Sequence, residues 1–352
     1  MITTLFQQLP HIYQSFLPDI FSQHIPVEQY ADCSDCNMCK PTTIVEDQRF
    51  FSPVTKCCTF KPIVPNYLVG GILIDSKKPT KIHTYVDIGE KITPLGYFPS
   101  TKELQDYAAI IPDKFGMDDR VQCELLDNGH CSIWQHRNSI CSTYFCHYFK
   151  GFHGKQFWED VRDFLQFVEE TLSAYCCMML DIPVHYLKQS TTNFFINVHE
   201  ATQNNGTISK LTDADMWGPW ETKRDSFFKE CHKICSNLTT NDVMSLNPTT
   251  YQIKIRALED SLKTMQSPLI PPTLLFNPNC KIIDFDATQT FFYVDRLIKL
   301  PAILQHIVKL FDGKTTNQQI ISTASQSYDV DMDNHYILHL YQQNILILPT
   351  SE

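Results

Sequence analysis

Glycine is scarce in this chain, with 11 among 352 residues, less than half of the roughly 7% that proteins usually carry. Neither a G-x-G-x-x-G fingerprint nor a P-loop occurs, which argues against a Rossmann or P-loop nucleotide site. No run approaches the roughly 18 uninterrupted apolar residues that suggest a membrane span, so none is expected. The first 21 residues have neither a positive n-region nor a sustained apolar core, and no signal peptide is expected. Dense Lys/Arg runs are missing, and the formal charge of −10 works against a general affinity for nucleic acid or acidic membranes. No Ser-His-Asp order, paired-carboxylate motif, internal repeat or low-complexity segment stands out. A cytoplasmic location is the expectation. There thiols stay reduced, so cysteines favour metal ligation over a disulfide framework, and the sequons at Asn205 and Asn237 read as chance matches.

What the chain does have is cysteine. Of its 14 cysteines, nine fall between residues 33 and 146: Cys33, Cys36, Cys39, Cys57, Cys58, Cys123, Cys131, Cys141 and Cys146. Thiolates held close together suit zinc or an iron–sulfur cluster. C-x2-C is a zinc-knuckle spacing. The extra cysteine of Cys33-x2-Cys36-x2-Cys39 lets one loop bind three irons of a cubane, so a 4Fe-4S cluster is expected, with zinc as the alternative. Pro41 stands two residues after Cys39 and no cysteine occupies the usual fourth local position, so the fourth thiolate is expected from Cys57, Cys58 or the 123–146 group. A radical-SAM loop, C-x3-C-x2-C, is absent. His130, His136, His147 and His153 lie near these cysteines in sequence and are possible substitutes for a thiolate. Arg137, between Cys131 and Cys141, is the candidate cofactor-binding side chain: it can donate to cluster sulfurs or an anionic substrate, or brace a loop through backbone carbonyls.

At 352 residues, with 43% hydrophobic and 12% aromatic content, the chain can form two or three packed domains. The expected class is α+β: an irregular cysteine-rich metal-binding domain, a helical middle region and a C-terminal winged-helix-like domain. Residues 1–30 read as a leader with helical spacing, broken by Pro10, Pro18 and Pro26. Residues 31–155 read as the metal-cluster domain, with strand-like pieces at Tyr67–Ile74 and Lys81–Val86. Metal can supply the folding energy that so irregular a stretch lacks. Residues 156–266 read as helical. Phe157, Trp158, Val161, Phe164, Leu165, Val168, Leu172 and Tyr175 form one apolar stripe, and Phe227, Phe228, Cys231, Ile234, Cys235 and Leu238 form another. Cys176, Cys177, Cys231 and Cys235 continue these stripes and read as core. Trp217 and Trp220 read as core packing, with an aromatic lid as the alternative. After the proline-rich boundary at 267–272 come strand-like runs at Leu274–Phe276, Lys281–Phe285 and Thr290–Val294. Helices near 302–312, 316–327 and 331–343 and a closing strand, Ile345–Leu348, complete residues 267–352.

Cys33-x2-Cys36-x2-Cys39, the Cys57-Cys58 pair and Cys131-Ser-Ile-Trp-x2-Arg137-x3-Cys141-x4-Cys146 together resemble the YkgJ-type cysteine-cluster proteins, which have zinc- or iron-chelating domains. The resemblance spans roughly residues 30–150. The chain differs from the family pattern at Trp134, Asn138 and Ser142, and in the 17 residues between Cys39 and Cys57. One branch of that group is similar to flagellin lysine-N-methylases, which implies cluster-dependent methyl transfer to protein lysines. Residues 290–348, with Gly313-Lys-Thr-Thr316, resemble the PqqD-like winged-helix module, which implies peptide binding. These resemblances imply an iron–sulfur or zinc protein acting on a protein or peptide partner. The alternative is a protein in which metal is structural and the C-terminal module mediates protein interaction. A DNA-binding regulator is disfavoured: residues 315–345 hold no Lys or Arg, while Asp329, Asp331 and Asp333 are present, and phosphate neutralisation needs cations.

Overall fold

The apolar stripe that starts at Phe157 folds as one long helix, α5 (Gly151–Met179), in a chain that mixes helix and sheet as an α+β protein. The computed structural model of the chain describes residues 2–26, 51–75, 79–145, 148, 150–190, 212–284, 287–294 and 297–349. Two compact units are formed, one from residues 1–146 with 161–256 and the other from 147–160 with 257–352. Helix α5 serves both, and residues 151–160 count with the second.

In the first unit the N-terminal segment is a ribbon of β1 (Ile2–Thr4) and β2 (His24–Pro26), paired antiparallel across three short 3-10 turns. Pro10 and Pro18 stand at the starts of two of these turns. A proline lacks the N–H that a continuing helix needs, so the helical spacing becomes separate turns instead of one helix. Tyr13, Phe16 and Phe21 are buried, with Phe16 packing edge-on to Tyr67 and Phe21 against Phe164 of α5.

Both strand-like pieces of the cysteine-rich region are helices, which corrects the sequence reading. The run at Tyr67–Ile74 lies in α1 (Asn66–Asp75), which follows β3 (Val64–Pro65). A continuous apolar run does not distinguish a buried strand from a buried helix. Here the decision is tertiary, because α1 is surrounded. Asn66, Tyr67, Leu68, Val69, Gly70, Gly71 and Ile72 are all buried. Lys81–Val86 lies in α2 (Lys81–Ile88), where Ile82 and Val86, four apart, form the buried face and Gly89 closes the helix at φ +76°. Strands β4 (Ile92–Thr93) and β5 (Gly96–Tyr97) join β3 in a sheet ordered β3-β5-β4. Helix α3 (Thr101–Lys114) follows, opened by a capping box between Ser100 and Glu103.

The helices after α5 are α6 (Val184–Ser190), α7 (Asp213–Trp217), α8 (Arg224–Ser236), α9 (Thr240–Leu246) and α10 (Pro248–Gln266). Trp217 is buried edge-on to Phe227 and Phe228, and Trp220 donates from Nε1 to the Leu180 carbonyl at 2.7 Å, so this aromatic segment is packing. Helix α1 lies directly on α8. A Cβ at Gly70 would stand 2.0 Å from the carbonyl oxygen of Phe228. No side chain fits there without parting the two helices.

A buried carboxylate ties the unit together. Glu169, midway along α5, has no solvent exposure. It accepts the Tyr13 hydroxyl at 2.7 Å and the backbone N–H and hydroxyl of Ser139, each at 2.6 Å. Tyr67 donates in turn to the Tyr13 oxygen at 3.2 Å. The N-terminal ribbon, α1 and the helix that begins at Ser139 therefore meet at one side chain. Burial pushes the Glu169 carboxyl up to about 7, against the Ser139 and Tyr13 hydrogen bonds that favour its anion.

The second unit holds two antiparallel sheets. One is ordered β11-β10-β9, from β9 (Lys281–Asp284), β10 (Gln289–Tyr293) and β11 (Leu297–Pro301). The other is ordered β12-β8-β13, from β8 (Thr273–Phe276), β12 (Asp312–Thr316) and β13 (Leu346–Ile347). Helices α11 (Leu304–Ile307), α12 (Asn317–Tyr328) and α13 (Asn334–Gln342) complete it around Leu274, Phe292, Ile307, Phe311, Ile337 and Leu346. Thr316 caps α12, its side chain accepting the Gln319 N–H. Gly313 lies inside β12 at φ +81°.

Two outcomes test this packing. Gly70→Ala should destabilise the protein by about 1–3 kcal/mol or more, since the obstruction is backbone; an unchanged urea midpoint would contradict the α1–α8 contact. Glu169 should make stability fall as pH rises from about 4.5 to about 7, because over that range the unfolded chain releases a proton that the folded chain retains. The loss amounts to ~3 kcal/mol and levels off above that range. Urea denaturation across pH should show this slope in the wild type and its loss in Glu169→Gln.

Candidate metal centre

Five of the nine expected ligands are described, and short elements of the first unit bring them together. Cys57 and Cys58 sit in a tight turn where Lys56 takes the left-handed conformation at φ +52°. The Cys123 N–H donates to the Cys58 carbonyl at 2.7 Å, joining this turn to the second cysteine group. Cys131 ends a hairpin of β6 (Leu126–Asp127) and β7 (His130–Cys131), in which Leu126 pairs with Cys131. The hairpin turns on Asn128 and Gly129, both at positive φ (47° and 77°), as a two-residue I′ turn requires. Cys141 lies in the short helix α4 (Ser139–Thr143), whose N-cap Asn138 accepts the Cys141 N–H at 3.0 Å. Asn138 and Ser142, two departures from the YkgJ-type pattern, thus have local structural roles, as Ser142 Oγ donates to the Arg137 carbonyl at 3.3 Å.

The thiols affect one another. Hydrogen bonding to Cys57, followed by burial, pushes Cys58 well above the ordinary thiol range, against the lowering by Lys56 and Arg137. Burial pushes Cys123 up to about 12, with Cys58 and Cys131 adding to the rise. Burial also raises Cys141, helped by Cys123 and Cys131 and opposed by Arg137. In this environment ionising one thiol makes the next harder to ionise, and a cation among them would reverse that cost. No disulfide joins any of the ten described cysteines.

Arg137 braces the loop. Its Nε donates to the Trp134 carbonyl at 3.2 Å and its Nη1 to the Cys141 carbonyl at 3.2 Å, while the guanidinium lies 3.5 Å from the Trp134 ring centre. The sequence reading did not find a second support, beside Cys123. Glu124 accepts Lys91 Nζ at 2.8 Å and the hydroxyls of Tyr85 and Tyr97. Burial would raise its carboxyl, but these partners together hold it below the ordinary value. No local spacing links these residues, so no sequence signal marks them. The Asn128-Gly129 dipeptide, by contrast, was a usable hairpin signal.

Thiols are the ligands that soft ions prefer. Among the described residues, however, no three His, Cys, Asp or Glu side chains converge closely enough to hold one ion. Cys33, Cys36, Cys39, Cys146 and His147 lie outside the described residues. Of the other histidines, His130 is exposed and His136 is buried, with its Nε2 3.2 Å from Asp75 Oδ2. His153 belongs to the second unit, against Phe152 and Tyr341. Cys176, Cys177, Cys231 and Cys235 are fully buried core residues, as their stripes suggest. No protein-family model, curated protein or solved structure matches the chain.

Replacing Arg137 by Ala should lower stability by about 1–3 kcal/mol, the scale of hydrogen bonds from a charged donor. Arg137→Lys, which keeps the charge but not the fork, should fall between the two. Equal stability for all three proteins in thermal unfolding would show that the guanidinium braces nothing.

Proposed function

We propose that this chain is a metal-binding protein whose cysteines hold an iron–sulfur cluster, with zinc as the alternative occupant. The observation that carries the proposal is that the Cys57-Cys58 turn is hydrogen-bonded to Cys123, and that Cys58, Cys123, Cys131 and Cys141 lie near enough to perturb one another's thiols. Cys33, Cys36 and Cys39 supply the ferredoxin-like half of the ligand set by their spacing, and the second group, including Cys146, supplies the remainder. The resemblance to YkgJ-type proteins supports the same ligand set and implies modification of a protein or peptide, such as methyl transfer to lysine; a cytoplasmic location, where thiols stay reduced, is part of the same reading.

A second reading, in which the metal is structural, also has support. Of the described candidate ligands, Cys131 sits on a two-residue strand, Cys57 and Cys58 in a tight turn and Cys141 on a five-residue helix. Elements this short bury little apolar surface, and metal ligation is a recognised substitute for a missing core. Under either reading the C-terminal unit is a winged-helix-like, PqqD-like module for a protein or peptide. Its three helices and antiparallel sheet β12-β8-β13 support that comparison. The absence of Lys and Arg from residues 315–345 opposes nucleic-acid binding.

Anaerobic purification with a visible spectrum and iron, sulfide and zinc assays tests the proposal. Cys36→Ala and Cys141→Ala should each lower the metal content, one from each cysteine group. Full metal retention in both, or a wild-type protein without metal, would overturn it. Retained fold with lost activity on a protein substrate after metal removal would favour the catalytic reading, and unfolding on chelation the structural one.

A further inference from the structure

Away from these cysteines, three more thiols meet in the core of the first unit. Cys176 comes from α5, and Cys231 and Cys235 come from successive turns of α8. All three have no solvent exposure. Cys176 Sγ lies 3.5 Å from Cys235 Sγ and 3.7 Å from the Cys231 carbonyl oxygen. The neighbouring Cys177 is engaged elsewhere, donating to the Pro94 carbonyl at 3.2 Å. Apolar stripes explain why these positions are buried, but they do not require two sulfurs in contact across a helix pair.

We propose that Cys176 and Cys235 are an oxidisable pair, which a small hydroperoxide closes to a disulfide linking α5 to α8. A disulfide needs its sulfurs at about 2.05 Å, so the pair must close by about 1.5 Å, a movement within reach of side-chain rotation at two unbranched residues. In the first step the Cys176 sulfur attacks a peroxide oxygen. The O–O bond breaks, one water leaves and Cys176 becomes a sulfenic acid. In the second step the Cys235 sulfur attacks the Cys176 sulfur. The S–O bond breaks, the S–S bond forms and a second water leaves. Two thiols and one hydrogen peroxide thus give one disulfide and two waters. Cys176 is the natural first attacker. Burial works to raise its thiol, but the Cys231 and Cys235 thiols beside it bring it down, whereas burial and Cys176 itself hold those two up. The bond would close a loop 59 positions long and fix the helix on which Gly70 of α1 rests.

The test treats the full-length protein, with whatever metal it carries, with hydrogen peroxide. Denaturation, alkylation, digestion and mass spectrometry then map the cysteines, and Cys177→Ala is run alongside so that the adjacent thiol is not confused with Cys176. The expected result is a reducible Cys176–Cys235 cross-link in both proteins, forming more slowly than oxidation of the half-buried Cys57 and Cys58. It should come with a raised thermal midpoint that dithiothreitol reverses. Full alkylation of Cys176 and Cys235 after Cys57 and Cys58 have been oxidised would overturn the proposal. A cross-link from Cys176 to Cys231 instead would overturn the pairing. Cys235→Ala should lose the cross-link; if that variant does not fold, the wild-type map alone decides.

Discussion

The first unit depends on a carboxylate that has no solvent exposure. Glu169 is satisfied by Ser139 and Tyr13, and through Tyr13 it reaches Tyr67. Leaving such a group buried and unpaired costs several times what one hydrogen bond contributes. The partners are therefore obligatory, and each belongs to a different segment: the N-terminal ribbon, α1, and α4 with its Cys141. The cysteine-bearing helix is placed from behind, by a residue on α5 that carries no metal-site chemistry. Fully satisfied polar networks in a core specify a unique arrangement, which suits a region whose own elements are short.

That anchoring explains what could be read from the sequence and what could not. The long stripe of α5 and the stripe of α8 gave their helices directly, because amphipathic periodicity reports on a single face. In the second unit the runs at 274–276, 281–285 and 290–294 fall within one or two residues of β8, β9 and β10, and the three expected helices correspond to α11, α12 and α13. Strand β11 went unseen although Leu297–Pro301 alternates buried and exposed positions as β strands do, and β12 because Asp312–Thr316 reads as a polar turn. Helix α1 was misread because surroundings, not propensity, decide it, whereas α2 has local signals, Thr80, Gly89 and the Ile82/Val86 face, that a strand reading passes over. α1 is enclosed on every side and approaches α8 through a glycine, and nothing local announces that.

The candidate centre was legible in its residue types and hidden in its supports. Cysteine spacing alone paired the 33–58 and 123–146 groups as neighbours, and Cys58 and Cys123 are joined by a backbone hydrogen bond. Arg137 was visible as a candidate, and its two carbonyl contacts match the loop-bracing alternative. The Glu124 cluster with Lys91, Tyr85 and Tyr97 could not have been inferred, since its members come from separate elements whose packing only the folded chain defines. Residue chemistry is written in the sequence one position at a time, whereas support depends on distance.

The two compact units are not two stretches of sequence, and this affects how the chain can be made. Residues 147–160 emerge from the ribosome long before residues 257–352, with which they form one unit. Strand β8 cannot complete its sheet until β13 appears at Leu346–Ile347. At roughly 5–20 residues per second, that segment waits on the order of ten seconds for its partners. The first unit is finished sooner, once Arg256 has been added. The nascent chain therefore holds every residue of the cysteine-bearing unit before it has made the strands and helices that complete the second.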